Sequence, residues 1–459
     1  MASTYISRTT GTPTDNQKCT VSFWWKNSEG HPLSSGSDRV IFGTETTAAS
    51  YIYLRKTAEF ALWQASTGTF DYRTTRLVLD STAWYHICCT FDTTLAASED
   101  RLKIYINGVR ETAFNASSAA AQDSAVRWNE ASKVIYVGGG FNQNMSGLLS
   151  HFHFIDGLAY DASTFGETDS TSGIWKIKTS PSVTYGNNGF FLKFEDRTNL
   201  DLDSSPNAHT FTTTGNLTPT YDCPSNNFCL PNALNGYWSG IDNSNFSDGN
   251  TTVNFDHGNE GFLDSTMGVA ASKWYWEVEM DATSGTLASI QAYAGAGGVQ
   301  PSSTSGTPGP LQNQEDGYAY FMSSGAIGNN SSETAGWGDT FSTGDVLGIA
   351  LDLDNNKIYF ARNGTWMNSG DPTSGATGTG AAYTLSATPT NGVYMPAFGK
   401  GSSASYTWTM KTNFGNGYLG TDTVGTTNQD AANIGYFKYA VPTGYYALCT
   451  KNIKAYGGV

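Results

Sequence analysis

Long apolar runs, cationic side chains, cysteine and histidine are all scarce in this chain of 459 residues, and each scarcity excludes something. No apolar run approaches the roughly 20 residues that a membrane-spanning helix needs, so membrane insertion is not expected. Lysine and arginine number 25 against 40 aspartates and glutamates, a formal net charge of −15. That charge repels a phosphate backbone and an anionic membrane surface alike, so nucleic acid is not an expected partner. Six cysteines are too few for a disulfide framework in a chain this long. Cys223 and Cys229 are close enough to bridge a loop. The N-terminus MASTYISRTTGTP, however, has neither the basic start nor the apolar stretch of a secretory signal, so the chain is expected to fold in a reducing cytoplasm with free thiols. Sustained heptads and long amphipathic helices are missing too, and the short NQDAANIG around Asn428 is the best helical candidate.

What the chain has in quantity is glycine (51), tyrosine (25), phenylalanine (24) and tryptophan (12), with Ser, Thr and Asn clusters between apolar runs. That is the composition of an all-β protein rich in turns, and its length asks for two or three hydrophobic cores. The most informative stretch is GDVLGIALDLDNNKIYFARNGTW, Gly344 to Trp366. Leu347, Ile349, Leu351 and Leu353 alternate with small or polar residues, and the alternation resumes at Ile358 and Phe360, the period of half-buried strands. A two-residue Asn355-Asn356 turn would pair Leu353 with Ile358 and Leu351 with Phe360, leaving Asp352 opposite Tyr359. Asn363-Gly364 then supplies a type I′ turn. The same design occurs earlier, in Trp84 to Thr112, with Tyr85, Ile87, Cys89 and Phe91 on one inward row, Leu102, Ile104 and Ile106 on another, and Asn107-Gly108 at the turn. Cys88, next to Cys89, is expected to face outward.

In chain order, KCTVSFWWK places Cys19, Val21, Phe23 and Trp25 on one face. Strands follow around VIFGT, SYIYLRK, EFALWQA, RLVLD, VIYVGGG and GLLSHFHFIDG. The order of Trp84-Tyr85-His86, Ile104 to Gly108 and Phe152 to Gly157 resembles the laminin-G-like, concanavalin-type jelly roll. The closing stretch Gly189 to Thr218 looks like the last strands of that domain. Farther on, ASKWYWEVEMDATSG, DGYAYF, the Leu347 to Gly364 meander and GVYMPAFGKGSSASYTWTMKTNFG resemble the SPRY domain, itself a concanavalin-like sandwich that binds partners through edge loops. The expected architecture is therefore two concanavalin-like antiparallel β-sandwiches in tandem: a jelly roll over 1–218, a linker over 219–235, a SPRY-like sandwich over 236–415 and a C-terminal extension over 416–459 that packs on the sandwiches. The inserts PSSTSGTPGPLQNQ and NSGDPTSGATGTGAA are expected as exposed loops.

Three sets of side chains invite a chemical reading. Glu277, Glu279 and Asp281 share a strand face, as the acids of concanavalin-type glycoside hydrolases do, but their spacing falls short of that motif and a solvated face is the expectation. His151 and His153 flank Phe152 and could chelate zinc, yet no third ligand is near; His31, His86, His209 and His257 are scattered. Asp352, Asp354 and Asn356 lack the bidentate Glu of a calcium loop. Resemblance to the laminin-G-like family allows calcium and makes Asp196, Asp201 and Asp203 the acids to inspect, without defining a site. No Gly-x-Ser-x-Gly or Walker-type motif is present. No catalytic residue, metal site or cofactor is thus expected. Trp63, Trp128, Trp337 and Trp366 lie near loops or strand ends and are the candidate ligand-binding residues, because an exposed indole stacks on sugar rings.

The whole chain, including the aromatic C-terminal run IGYFKYAVPTGYYALCTKNIKAYGGV, resembles virion structural proteins of marine tailed bacteriophages that combine these two domain types. That resemblance implies a non-enzymatic virion protein on the particle exterior, a head decoration or a short fibre or knob, contacting other virion proteins and a host-surface glycan. With a sandwich beginning almost at Met1, attachment is expected through a globular surface rather than a shaft, in a homo-oligomer with a trimer as first expectation. A polysaccharide depolymerase and a cellular SPRY-type peptide-binding adaptor are the alternatives.

Overall fold

The computed structural model describes residues 4–28, 38–44, 49–65, 69–139, 143–234, 245–255, 261–282, 292–298, 311–400 and 407–458. His31, His257, the NGYWSG segment at 235–240 and most of the insert at 301–314 lie outside these residues. The chain divides into two compact units, Met1–Pro219 and Thr220–Val459. Both are antiparallel sandwiches, so the all-β architecture is as expected.

In the first unit, an eight-stranded sheet runs in the order Phe114–Ser118, Phe70–Leu77, Glu59–Gln64, Ser50–Leu54, Arg39–Thr44, Val134–Val137, Tyr5–Thr9, Thr212–Thr214. A six-stranded sheet runs Phe190–Leu192, Gly147–Asp156, Lys18–Asn27, Tyr85–Asp92, Leu102–Ile106, Val109–Arg110. The alternating rows meet between the sheets: Cys19, Val21, Phe23 and Trp25 pack with Ile87, Cys89, Phe91, Leu102, Ile104 and Ile106. Asn107-Gly108 makes the two-residue turn, with φ of 49° and 77° and Ile106 paired to Val109. The strand expected at RLVLD sits earlier, at Phe70–Leu77. At its centre Trp128 is 0% exposed and meets Phe42, Phe70 and Phe91 edge-on.

The second unit repeats the plan. One sheet runs Phe246–Ser247, Thr252–Phe255, Trp408–Asn413, Lys273–Ala282, Val346–Asp352, Lys357–Arg362, Thr365–Trp366. The other runs Gly261–Asp264, Tyr394–Lys400, Ala292–Gly298, Gly317–Phe321, Ala326–Asn329, Ser332–Thr334. Trp274, Trp276, Val278 and Met280 face the core with Leu347, Ile349, Leu351, Ile358 and Phe360. Asn363-Gly364 forms its turn, with φ of 48° and 80°. The preceding turn differs from expectation: Asp352 pairs with Lys357 and Leu351 with Ile358, so the loop holds four residues, not two. The Asp352 carboxylate explains this, because it accepts the backbone N–H and side-chain amide of Asn355 at 3.0 and 2.9 Å and so closes the wider loop. The strand slips by two residues overall. Side-chain parity is kept, and the same residues still face inward.

Each unit also buries the second face of one sheet, which alternation alone does not foretell. In the first unit Cys88, expected to face outward, is fully buried beside Ile155 and Phe191 of the same sheet and packs with Ala162, Phe165 and Tyr185 of the segment that covers them. In the second, Tyr275, Ala350 and Tyr359 are covered by Phe228, Phe437, Tyr445, Ala447 and Cys449. The cover comes from both ends of the unit: Tyr221 N–H donates to Asn416 O and Cys229 N–H to Leu448 O, both at 2.9 Å. Tyr446–Ala447 adds a parallel partner to Trp274 and Tyr275, where Trp408–Asn413 no longer reaches. The segment around Asn428 is not helical. Asp430 accepts Ile434 N–H at 2.7 Å and Gly435 N–H at 2.9 Å and wraps it into a turn, and the one α-helix among the described residues is Thr450–Tyr456. The insert 368–382 is a loop with two short 3-10 turns, whereas Leu311, in the other insert, is buried.

Trp128→Ala is expected to cost the first unit about 3–5 kcal/mol. Amide exchange in Tyr85–Asp92 should accelerate accordingly, while exchange in Val346–Asp352 stays at the parent rate.

Candidate functional site

The four candidate tryptophans occupy different places. Trp128 is core, as described, and its ring has no route to solvent. Trp337 is half-buried and presents edges to Tyr320 and Phe360. Trp366 is half-buried under the second unit's covering layer, edge-on to Tyr275 and Tyr359. Trp63 lies on the outer face of the first unit's eight-stranded sheet, where it is parallel to Tyr51 within 20°, ring centroids 5.8 Å apart.

That outer face follows from strand period. In Ser50–Leu54 and Glu59–Gln64, Ile52, Leu54, Phe60 and Leu62 point into the core, so Tyr51, Tyr53, Ala61 and Trp63 point out. Cross-strand pairing lines them up. One row runs Gly43, Tyr51, Trp63, Asp71, Ser118 across five strands. The next runs Val40, Tyr53, Ala61, Arg73, Ala116. Arg73 holds Asp71 through two parallel bonds, Nε to Oδ1 at 3.0 Å and a terminal nitrogen to Oδ2 at 2.7 Å. Arg55 pairs with Glu59 beside them. The sequence signal for Tyr51, the Tyr-x-Tyr of SYIYLRK, was present; its pairing with Trp63 was not, because register is a tertiary property.

The carboxylates weighed as catalytic groups have other employment. Glu277 is 0% exposed, not solvated as expected, because the segment around Lys438 lies over that strand face. Its Oε1 accepts the Tyr439 backbone N–H at 2.8 Å and the Tyr275 hydroxyl at 3.3 Å, and its Oε2 accepts the Lys438 N–H at 2.9 Å and the Asn413 amide at 3.1 Å. Burial pushes this carboxyl up to about 7 against the pull of those four donors. Glu279 is paired with Lys411 and Lys438 at 2.8 and 3.2 Å, and Asp281 with Lys411 at 2.7 Å. Asp156, Asp203 and Asp430 are built alike. Asp156 accepts Thr14 and Asn188 N–H at 2.7 and 3.0 Å. Asp203 accepts Phe191, Ser205 and His209 N–H, and Asp430 accepts Ile434, Gly435 and Ala447 N–H. These acids tether loops.

No group of three metal-ligating side chains occurs among the described residues. Of the inspected acids, Asp196 closes a turn onto Thr198, Asp201 accepts the Thr213 hydroxyl, and Asp203 binds backbone. A bulge between Ser150 and His153, with His151 at φ 48°, breaks the strand period that would have set the two histidines side by side. His153 stacks on Phe191 at 3.8 Å and bonds Tyr185, while His151 bonds Ser150. His86 is buried between Trp175 and Ser22. The indole can only donate, so Nδ1 accepts and Nε2 carries the proton that goes to Ser22 Oγ.

Two concanavalin-type sandwiches in tandem define the class of architecture, and the family comparisons give the particular domains. Residues 1–159 match the concanavalin A-like lectin/glucanase superfamily in its laminin-G form, and residues 273–416 match the SPRY domain. The chain thus carries the two domains in tandem. Among solved structures, the SPRY domain of human HERC1 is 16% identical, covering 41% of this chain and 92% of that one, with a TM-score of 0.28. The heptameric SAP-like pentraxin of Limulus polyphemus is 15% identical, covering 41% and 88%, with a TM-score of 0.27. Domain 4 of AbnA, an extracellular arabinanase of Geobacillus stearothermophilus solved with arabinotriose, is 19% identical, covering 32% and 64%, with a TM-score of 0.24. No curated protein matches the chain.

The buried titratable groups set opposite pH responses in the two units. Burial lowers His86 from 6.5 to about 3 and His151 to about 4. Below pH 6.5 the unfolded histidines take up protons that the folded ones refuse, so the first unit should lose about 1.4 kcal/mol per pH unit per histidine on acidification. Glu277 has the other sign: folded near 7 and ordinarily at 4.5, it holds its proton longer in the folded state, so its contribution declines as pH rises from about 4.5 to about 7. Glu277→Gln should remove that slope and, by turning an amide toward the Lys438 and Asn413 donors, cost about 1–3 kcal/mol. Thermal unfolding with exchange resolved by unit, from pH 5 to pH 8, checks both signs.

Proposed function

We propose that this chain is a non-catalytic binding protein displayed on the exterior of a tailed-phage particle, where it contacts a glycan of the host surface. One observation carries the non-catalytic part: of Glu277, Glu279 and Asp281, the acids that share a strand face, Glu277 is buried and bound by backbone N–H groups, and Glu279 and Asp281 are paired with lysines. The superfamily matched by the first domain contains lectins as well as glucanases, and this reading takes the lectin side. The net charge of −15 favours an exterior position over contact with packaged nucleic acid. Virion placement rests on the whole-chain resemblance. Repetition around a symmetric particle makes the protein a homo-oligomer, with a trimer as the first expectation, made in the host cytoplasm and then joined to other virion proteins.

Mass spectrometry of purified particles should detect the chain, and purified protein should leave host envelope polysaccharide intact. Release of oligosaccharides by the parent and not by a Glu277→Gln/Glu279→Gln variant would instead establish a depolymerase. A free monomer in lysate with none in particles would favour a cellular SPRY adaptor, the reading that the second domain match supports.

A further inference from the structure

We propose that the outer face of the eight-stranded sheet is a saccharide platform, built on Tyr51 and Trp63 and rimmed by Asp71 and Arg73, that takes a neutral glycan. The inference rests on the glycan-binding reading above and gives it a location and a ligand class.

The platform is shaped by a missing side chain. A Cβ on Gly43 would lie 2.6 Å from Tyr51 Cδ1 and 2.7 Å from the Ser50 carbonyl oxygen, so the absent side chain leaves room both for the Tyr51 ring, which leans across the Gly43 backbone, and for the close approach of the neighbouring strand. Trp63 is its direct cross-strand neighbour and nearly parallel to it. The 5.8 Å between centroids is not far above the strand spacing of about 4.8 Å. Nearly parallel at that separation, the two rings form an offset stack over adjacent strands. Both are half-buried and pack sideways against Val40, Tyr53 and Ala61, the buried next row of the same face.

The next position in the same row is Asp71, bound in a planar fork by Arg73. A flat aromatic surface continued by a planar set of donors and acceptors matches a pyranose ring. The C–H face of the sugar covers the indole and phenol, and its equatorial hydroxyls meet the carboxylate and guanidinium edge. Charge selects among glycans. The cations here are paired, Arg73 with Asp71 and Arg55 with Glu59, and the chain as a whole is strongly acidic. An anionic polysaccharide would find no surplus positive charge on this face.

The test is affinity electrophoresis of the full chain through gels holding a glucan, a galactan, a mannan or an arabinan, with polygalacturonate as the anionic probe. The parent should be retarded by at least one neutral polymer and not by polygalacturonate. Trp63→Ala and Tyr51→Ala should each weaken retention about tenfold, and Trp63→Phe should retain most of it. Unchanged thermal unfolding of the alanine variants shows that the fold survives. If the parent is retained and both alanine variants match it, or if Trp337→Ala is the variant that fails, the platform is wrong while glycan binding stands. Retention by polygalacturonate alone overturns the ligand class. A parent retained by none of the polymers overturns both the platform and the glycan reading.

Discussion

A carboxylate held by backbone amides organises the second unit. Glu277 sits in the middle of a central strand, on the face away from the main core, and receives the consecutive N–H groups of Lys438 and Tyr439. A charged group in that position is tolerable only because four donors replace water. Those donors come from the strand itself, from its neighbour at Asn413 and from the segment that crosses over both. The bonds thus do two things at once: they satisfy the acid and they fix the path of the covering segment. Phe437, Tyr445 and Ala447 then pack onto Tyr275, Ala350 and Tyr359 and seal the layer.

The first unit solves the same problem with different atoms. Its six-stranded sheet is covered by the segment carrying Phe165, Trp175 and Tyr185, and the buried polar groups beneath, His86 and His153, are satisfied by Trp175, Ser22 and Tyr185. Asp156 and Asp203 anchor the irregular parts of that cover, as Asp430 does in the second unit. An acidic chain has spent several of its carboxylates internally, as acceptors for loop N–H groups that no strand could pair. The covered faces give up any role in recognition. The eight-stranded sheet of the first unit keeps Tyr51 and Trp63 half-exposed on its outer side, where the proposed saccharide platform lies.

Much of the fold was legible because alternation reports a buried face. The rows Cys19 to Trp25, Ile87 to Phe91 and Trp274 to Met280 all point inward as read, and both Asn-Gly pairs make their turns. Where the reading failed, a third layer or a local acceptor had intervened. Cys88 and Glu277 stood on what looked like solvent faces, and distant segments bury both. Asp352 captured Asn355 and widened a turn, and Asp430 captured the N–H groups that a helix near Asn428 would have needed. Of the candidate tryptophans, Trp128 proved central to the core, since a position near a strand end in sequence says nothing about its depth in a sandwich.

The sequence by itself determined the fold class, the inward rows and the tight turns, because each depends on residues a few positions apart. Only the tertiary structure decided which sheet faces acquire a second layer, which acids are consumed, and that Gly43, Tyr51, Trp63 and Asp71 form one row. Those outcomes depend on register between strands and on segments that return from far along the chain. Side-chain period carries no information about either.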